Sequence, residues 1–68
     1  MLILDRITLD PNVMDGNACV RGMRITVSLV VNLVANEMSV VDILNQYPAL
    51  QKEDIDQCLQ YSALLANS

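Results

Sequence analysis

The stretch GNACVRGMRITV, residues 16 to 27, gathers the side chains best placed for chemistry: two glycines and two arginines directly before a run of aliphatic residues. A glycine-rich turn that cradles phosphate must open a helix and carry Lys-Ser/Thr behind it. No lysine follows here, and the segment reads as strand, turn, strand, so nucleotide binding is not expected. Two uses of the arginines stay open. In the first, Gly16 and Gly22 make turns while Arg24 forms an ion pair or lays its stem over the sheet. In the second, the guanidinium groups reach out from the tip and bind a partner's carboxylates in bidentate fashion. On that second reading Arg21, Gly22 and Arg24 are the partner-binding residues.

Other reactive groupings are weak. The chain has no histidine, and its two cysteines, Cys19 and Cys58, lack CxxC spacing. They read as reduced core thiols, and neither a metal site nor a cofactor is expected. Asp54 and Asp56 fall two apart near the start of one helix and point in different directions, which leaves no acid–base pair and no enzyme. Charge is uneven along the chain. Asp5, Asp10 and Asp15 balance Arg6, Arg21 and Arg24, whereas Glu37, Asp42, Glu53, Asp54 and Asp56 face Lys52 alone. The acidic half would repel nucleic acid.

The elements that carry these residues follow from periodicity and turn signals. ILDRITL, residues 3 to 9, alternates as a short strand. Asp10-Pro11-Asn12 and Asp15-Gly16 break the chain. Two short strands, at residues 18–20 and 24–26, are expected to meet at a tip formed by Arg21-Gly22-Met23, with Gly22 at positive φ. From Val27 the period becomes helical, with Leu29, Val30, Leu33 and Val34 on one stripe and Thr26 or Ser28 as N-cap. This helix should end near Asn36-Glu37.

Two further helices share a design. Ser39 caps the first, with Asp42 three residues on; Gln51 holds the cap position of the second, with Asp54 three on. Met38 can staple to Ile43 and Leu50 to Ile55. Pro48 stops the first of the pair near Tyr47. The last helix is expected to bury Ile55, Cys58, Leu59, Ser62, Leu65 and Ala66. The fold class is therefore mainly α: a short N-terminal β-hairpin or strands, residues 1–26, then a three-helix, helix-turn-helix-like bundle, residues 27–68, in a single domain 1–68.

With 68 residues, 53% hydrophobic and 18% charged, the chain is small and apolar, and a homodimer is expected to cover the excess. The leading strand, as an exposed edge, would pair across the two-fold axis. No run reaches membrane-spanning length and MLIL is too short for a signal peptide, which points to a cytoplasmic protein away from membranes. A DNA-reading last helix would use Lys52, Gln57 and Gln60, but Glu53, Asp54 and Asp56 at its leading turns oppose phosphate. DNA binding by the isolated chain is thus disfavoured.

The pattern also resembles a known family. Gly16, Val20, Gly22, Arg24 and Ile25, then Met38, Ser39, Ile43 and Leu44, then Tyr47, Pro48, Leu50, Asp54 and Ile55 match the motifs of domain of unknown function 433, from about Ile7 to Tyr61. Ala18 stands where proline is usual, Met23 where threonine is common, and Glu37 where many members have glycine. Either Glu37 or Asn36 then accepts a strained left-handed conformation, or the helix ends otherwise. The resemblance implies a homeodomain-like helix-turn-helix and the antitoxin half of a VapBC-type pair, inhibiting a PIN-like ribonuclease by direct contact. The alternatives are a DNA-binding regulator and a dimerising scaffold without a toxin.

Overall fold

The computed structural model of the protein describes residues 4–12 and 16–66. Five elements follow in order: β1 (Ile7–Thr8), β2 (Cys19–Val20), α1 (Val27–Ala35), α2 (Val40–Gln46) and α3 (Lys52–Ala66). The protein is mainly helical, with a two-stranded antiparallel sheet ahead of three helices, as the sequence predicts.

The expected hairpin is present in short form, with the Val20 N–H donating to Ile25 O and the Val27 N–H to Ala18 O, both at 2.9 Å, while the longer pairing lies elsewhere. β2 pairs with β1, Ile7 opposite Val20 and Thr8 opposite Cys19. The return leg after the turn is a single bridge, Cys19 to Thr26. The reason is Thr26 itself: it is extended, but its hydroxyl accepts from the Leu29 N–H and so begins α1 at the next residue. No length of chain is left for a strand. At the tip, Arg21 (φ 48°) and Gly22 (φ 71°) are both left-handed. A Cβ at Gly22 would meet open space, so backbone conformation alone favours glycine there. The expected leading strand shrinks to two residues, with Ile3 outside the described residues. β2 covers one side, and the Arg6 N–H just before it donates to Gln57 Oε1 of α3 at 2.9 Å.

The helix ends are where sequence placed them. α1 closes with the Glu37 N–H donating to Val34 O (2.9 Å) and the Met38 N–H to Leu33 O (3.2 Å). That is a Schellman turn with glutamate, at φ 65°, in the position glycine usually takes. In α2 the Ser39 hydroxyl accepts from the Asp42 N–H, and Tyr47 closes the helix before Pro48. Ahead of α3, Asp54 reaches back to accept the Gln51 N–H at 2.8 Å.

Val20, Val27, Val30, Ile43, Leu50, Ile55 and Cys58 form the core, mostly where α1 lies on α3. The expected buried face of α3 runs out early. Ile55 and Cys58 are buried, but Leu59 and Leu65 are 38% and 59% exposed, and Ala66 is exposed.

Candidate functional site

The turn that holds Arg21 and Gly22 is fixed by backbone pairing. Arg21 N–H donates to Arg6 O at 2.7 Å, and Gly22 N–H to the Thr8 hydroxyl at 2.9 Å. This aims the Arg21 side chain across the first turn of α3. There it meets Asp54 in bidentate fashion: Nε to Oδ1 at 3.1 Å and Nη2 to Oδ2 at 2.9 Å. Nη2 also donates to Ala49 O. From the opposite side Arg6 Nη1 donates to Asp54 Oδ1 at 3.0 Å and to Gln51 Oε1 at 2.8 Å. With the Gln51 N–H on Oδ2, each carboxylate oxygen accepts two hydrogen bonds.

Asp54 is completely buried, while the Arg6 and Arg21 side chains are 26% and 36% exposed. Burial pushes the Asp54 pKa up, but hydrogen bonds from Arg21, the Gln51 N–H and Arg6 outweigh it and hold the carboxyl below the usual range. The same contact raises Arg6 above its ordinary value. A carboxylate kept ionised, dry and fully occupied is poorly suited to move a proton or accept a metal. It fastens the segment before β1, the β2–α1 turn and the 49–51 loop to α3.

The remaining sequence candidates separate into engaged and exposed groups. Arg24 is exposed and makes no hydrogen bond or ion pair with any described residue. Gln57 is engaged: it accepts from Arg6 N–H and donates to Asp5 Oδ1 at 2.8 Å. Lys52 pairs with Asp56 at 3.4 Å on the surface, and Gln60 is exposed. Sequence reasoning missed the Asp54 clamp. The available signal was its position: Asp54 lies four residues before Cys58, on the buried stripe, in a chain with few cations.

Both cysteines are free and buried. Cys19 Sγ donates to Asn17 O at 3.3 Å. Burial, helped by the charge of Asp54, pushes the Cys58 thiol up to about 11, which keeps it protonated and unreactive at neutral pH.

At the far end of α3 lies a groove of about 450 Å3 between the segment before β2, α1 and α3, lined by Leu9, Ala18, Val27, Val31, Tyr61 and Leu65 with polar Ser28 and Asn32. No described residue that lines it is charged. Leu64 and Leu65 beside it are 51% and 59% exposed, and Leu9 is 65% exposed. No helix among the described residues is long and apolar enough to cross a membrane.

One family model, described as "Protein of unknown function (DUF433)", matches residues 7–62. No curated protein and no solved structure matches the chain.

Proposed function

The chain belongs to the DUF433 family, and from that premise we propose that it is a non-catalytic binding protein, the antitoxin-like inhibitory partner of a PIN-like ribonuclease. The choice of a nuclease follows the VapBC-type role that the family resemblance implies and is part of this proposal. The carrying observation for a binding role is the division of polar and apolar groups. Arg6 and Arg21 are spent on Asp54, while aliphatic side chains stay at the surface: Leu9, Val41, Leu64 and Leu65 are each more than half exposed. Such surface is what a protein partner covers.

Within this reading Arg24 is the arginine that reaches the nuclease's carboxylates, because Arg21 is already committed inside the fold. The DNA-binding alternative loses support from the same geometry. Gln57 is occupied by Asp5 and Arg6, Lys52 is matched by Asp56, and the leading turns of α3 are acidic.

The test is RNA cleavage by a PIN-like nuclease encoded beside this chain. Stoichiometric addition of the chain should stop cleavage, and Arg24→Ala should weaken inhibition by about tenfold. Undiminished cleavage with the chain in excess refutes the proposal. A salt-sensitive gel shift of operator DNA by the isolated chain would promote the regulator in its place.

A further inference from the structure

We infer that residues 4–9 form a strap that opens and closes over an otherwise folded body, with Arg6 as its latch. The inference is independent of any nuclease partner. It starts from an imbalance in how the segment is attached. None of residues 4–9 is buried, and every buried member of the core cluster lies between Val20 and Cys58. Ile7 packs against that core while only partly buried, and Leu9 is 65% exposed. The rest of the attachment is polar. Arg6 reaches Asp54 and Gln51, Gln57 bonds both the Arg6 N–H and Asp5, and the Thr8 hydroxyl lies between the Gly22 N–H and Cys19 O. Water replaces bonds of this kind at small net cost, whereas nothing replaces buried apolar contact.

The second arginine on Asp54 is what lets the segment leave. A buried carboxylate stranded without a counter-charge would hold the strap shut. Here Arg21 keeps both oxygens satisfied: Nε stays on Oδ1, while Nη2 and the Gln51 N–H stay on Oδ2. β2 is likewise held from its other side, by the Val20 N–H on Ile25 O and the Val27 N–H on Ala18 O. Slack is also present. Ten residues, 9–18, join β1 to β2, where a tight hairpin needs about two to five, so the strap can move without pulling on β2. Opening frees the outer edge of β2, where the Arg21 N–H otherwise meets Arg6 O, and closing hides it. The strap is thus a gate on that edge.

Native-state amide exchange followed by NMR tests the strap in the intact chain. Three amides report it: Arg6, held by Gln57; Arg21, held by Arg6 O; and Gly22, held by the Thr8 hydroxyl. Val20 and Val30, held by Ile25 O and Thr26 O, report the body. The strap amides should share one opening equilibrium and exchange about a hundredfold faster than the body pair. Urea below the unfolding transition should speed Val20 and Val30 but hardly touch the strap amides, because opening exposes little surface. Arg6→Ala should speed Arg21 and Gly22 by about tenfold. Strap amides that follow Val20 and Val30 through urea overturn the inference, since the domain then opens only as a whole. Arg21 and Gly22 rates indifferent to Arg6→Ala also overturn it, because the turn then frays without the strap. The urea comparison uses the wild-type chain, so it decides the matter even where the variant fails to fold.

Discussion

At its first turn α3 holds a carboxylate without solvent contact, each of whose oxygens accepts two hydrogen bonds; in its last turns it holds leucines more than half exposed. One helix thus buries an ionised side chain beside Ile55 and Cys58 at one end and leaves leucines exposed at the other. The first end is finished. Every buried side-chain nitrogen and oxygen among the described residues has a hydrogen-bond partner. The second end exposes apolar area that a single copy does not bury. The contrast separates what this chain uses to hold itself together from what it offers to others. Arg6 and Arg21 belong to the first task, and Leu9, Leu59, Leu64 and Leu65 to the second.

The sharpest way to break this comparison is to remove the carboxylate. Asp54→Ala leaves two guanidinium groups facing each other without their counter-charge and frees the Gln51 N–H. Losing one member of a buried ion pair costs about 3–5 kcal/mol, and because the arginines are partly exposed the low end, about 3 kcal/mol, applies here. A core of this size supplies only about 3–5 kcal/mol in total. The variant should therefore be largely unfolded at 25 °C by circular dichroism and urea titration. A stable, fully helical Asp54→Ala would show that the clamp is dispensable. For the same reason an Arg21→Ala, Arg24→Ala double variant is a poor probe of partner binding, since its first change strikes the clamp.

Acid provides the next test. The folded pKa of Asp54 lies below its unfolded value, so its stabilisation is complete above about pH 4, the unfolded value, and is lost as pH falls through the folded one. The urea midpoint should hold from pH 7 to about pH 5 and then drop below about pH 4. The drop should be smaller in Asp54→Asn, whose side chain does not titrate. Equal acid sensitivity in the two proteins would assign the effect to other carboxylates.

How much of this was legible depends on the range over which each residue acts. The three helices, the Ser39 cap and the stop at Pro48 are set by neighbours within four residues, and a local reading finds them; Glu37 is one of three endings that such a reading leaves open for α1. The clamp joins Asp54 to residues 33 and 48 positions away. Local logic places Asp54 at a helix start reaching back to Gln51, which is true, and gives no hint of Arg6 or Arg21. The exposed end of α3 escaped for a related reason. A helical stripe marks which face is apolar, but how far that face is covered depends on how distant elements pack against it. Strand pairing turned on Thr26, which serves both bridge and helix cap.

Glu37 tests a local reading at smaller scale. Its φ of 65° costs a side-chain-bearing residue what glycine does not pay. Glu37→Gly should stabilise the domain by about 0.5–1 kcal/mol, read as a higher urea midpoint. A loss of stability would mean that the glutamate side chain compensates through a contact worth more than the strain.

The smallest expected effect isolates burial as the variable. Lys52 and Asp56 are an ion pair on the same helix as Asp54, separated by 3.4 Å, but with side chains 67% and 49% exposed. Water screens the attraction, and ordering a long lysine offsets most of what is left, so the pair should couple by only about 0.3 kcal/mol. A double-mutant cycle with Lys52→Ala and Asp56→Ala measures that coupling free of each side chain's other effects. If the value is small, the weight of the Arg21–Asp54–Arg6 cluster comes from solvent exclusion and bidentate geometry, not from placing opposite charges on α3. A coupling above about 1 kcal/mol would show that position on the helix matters as much as burial. The two ends of α3 would then differ in degree and not in kind.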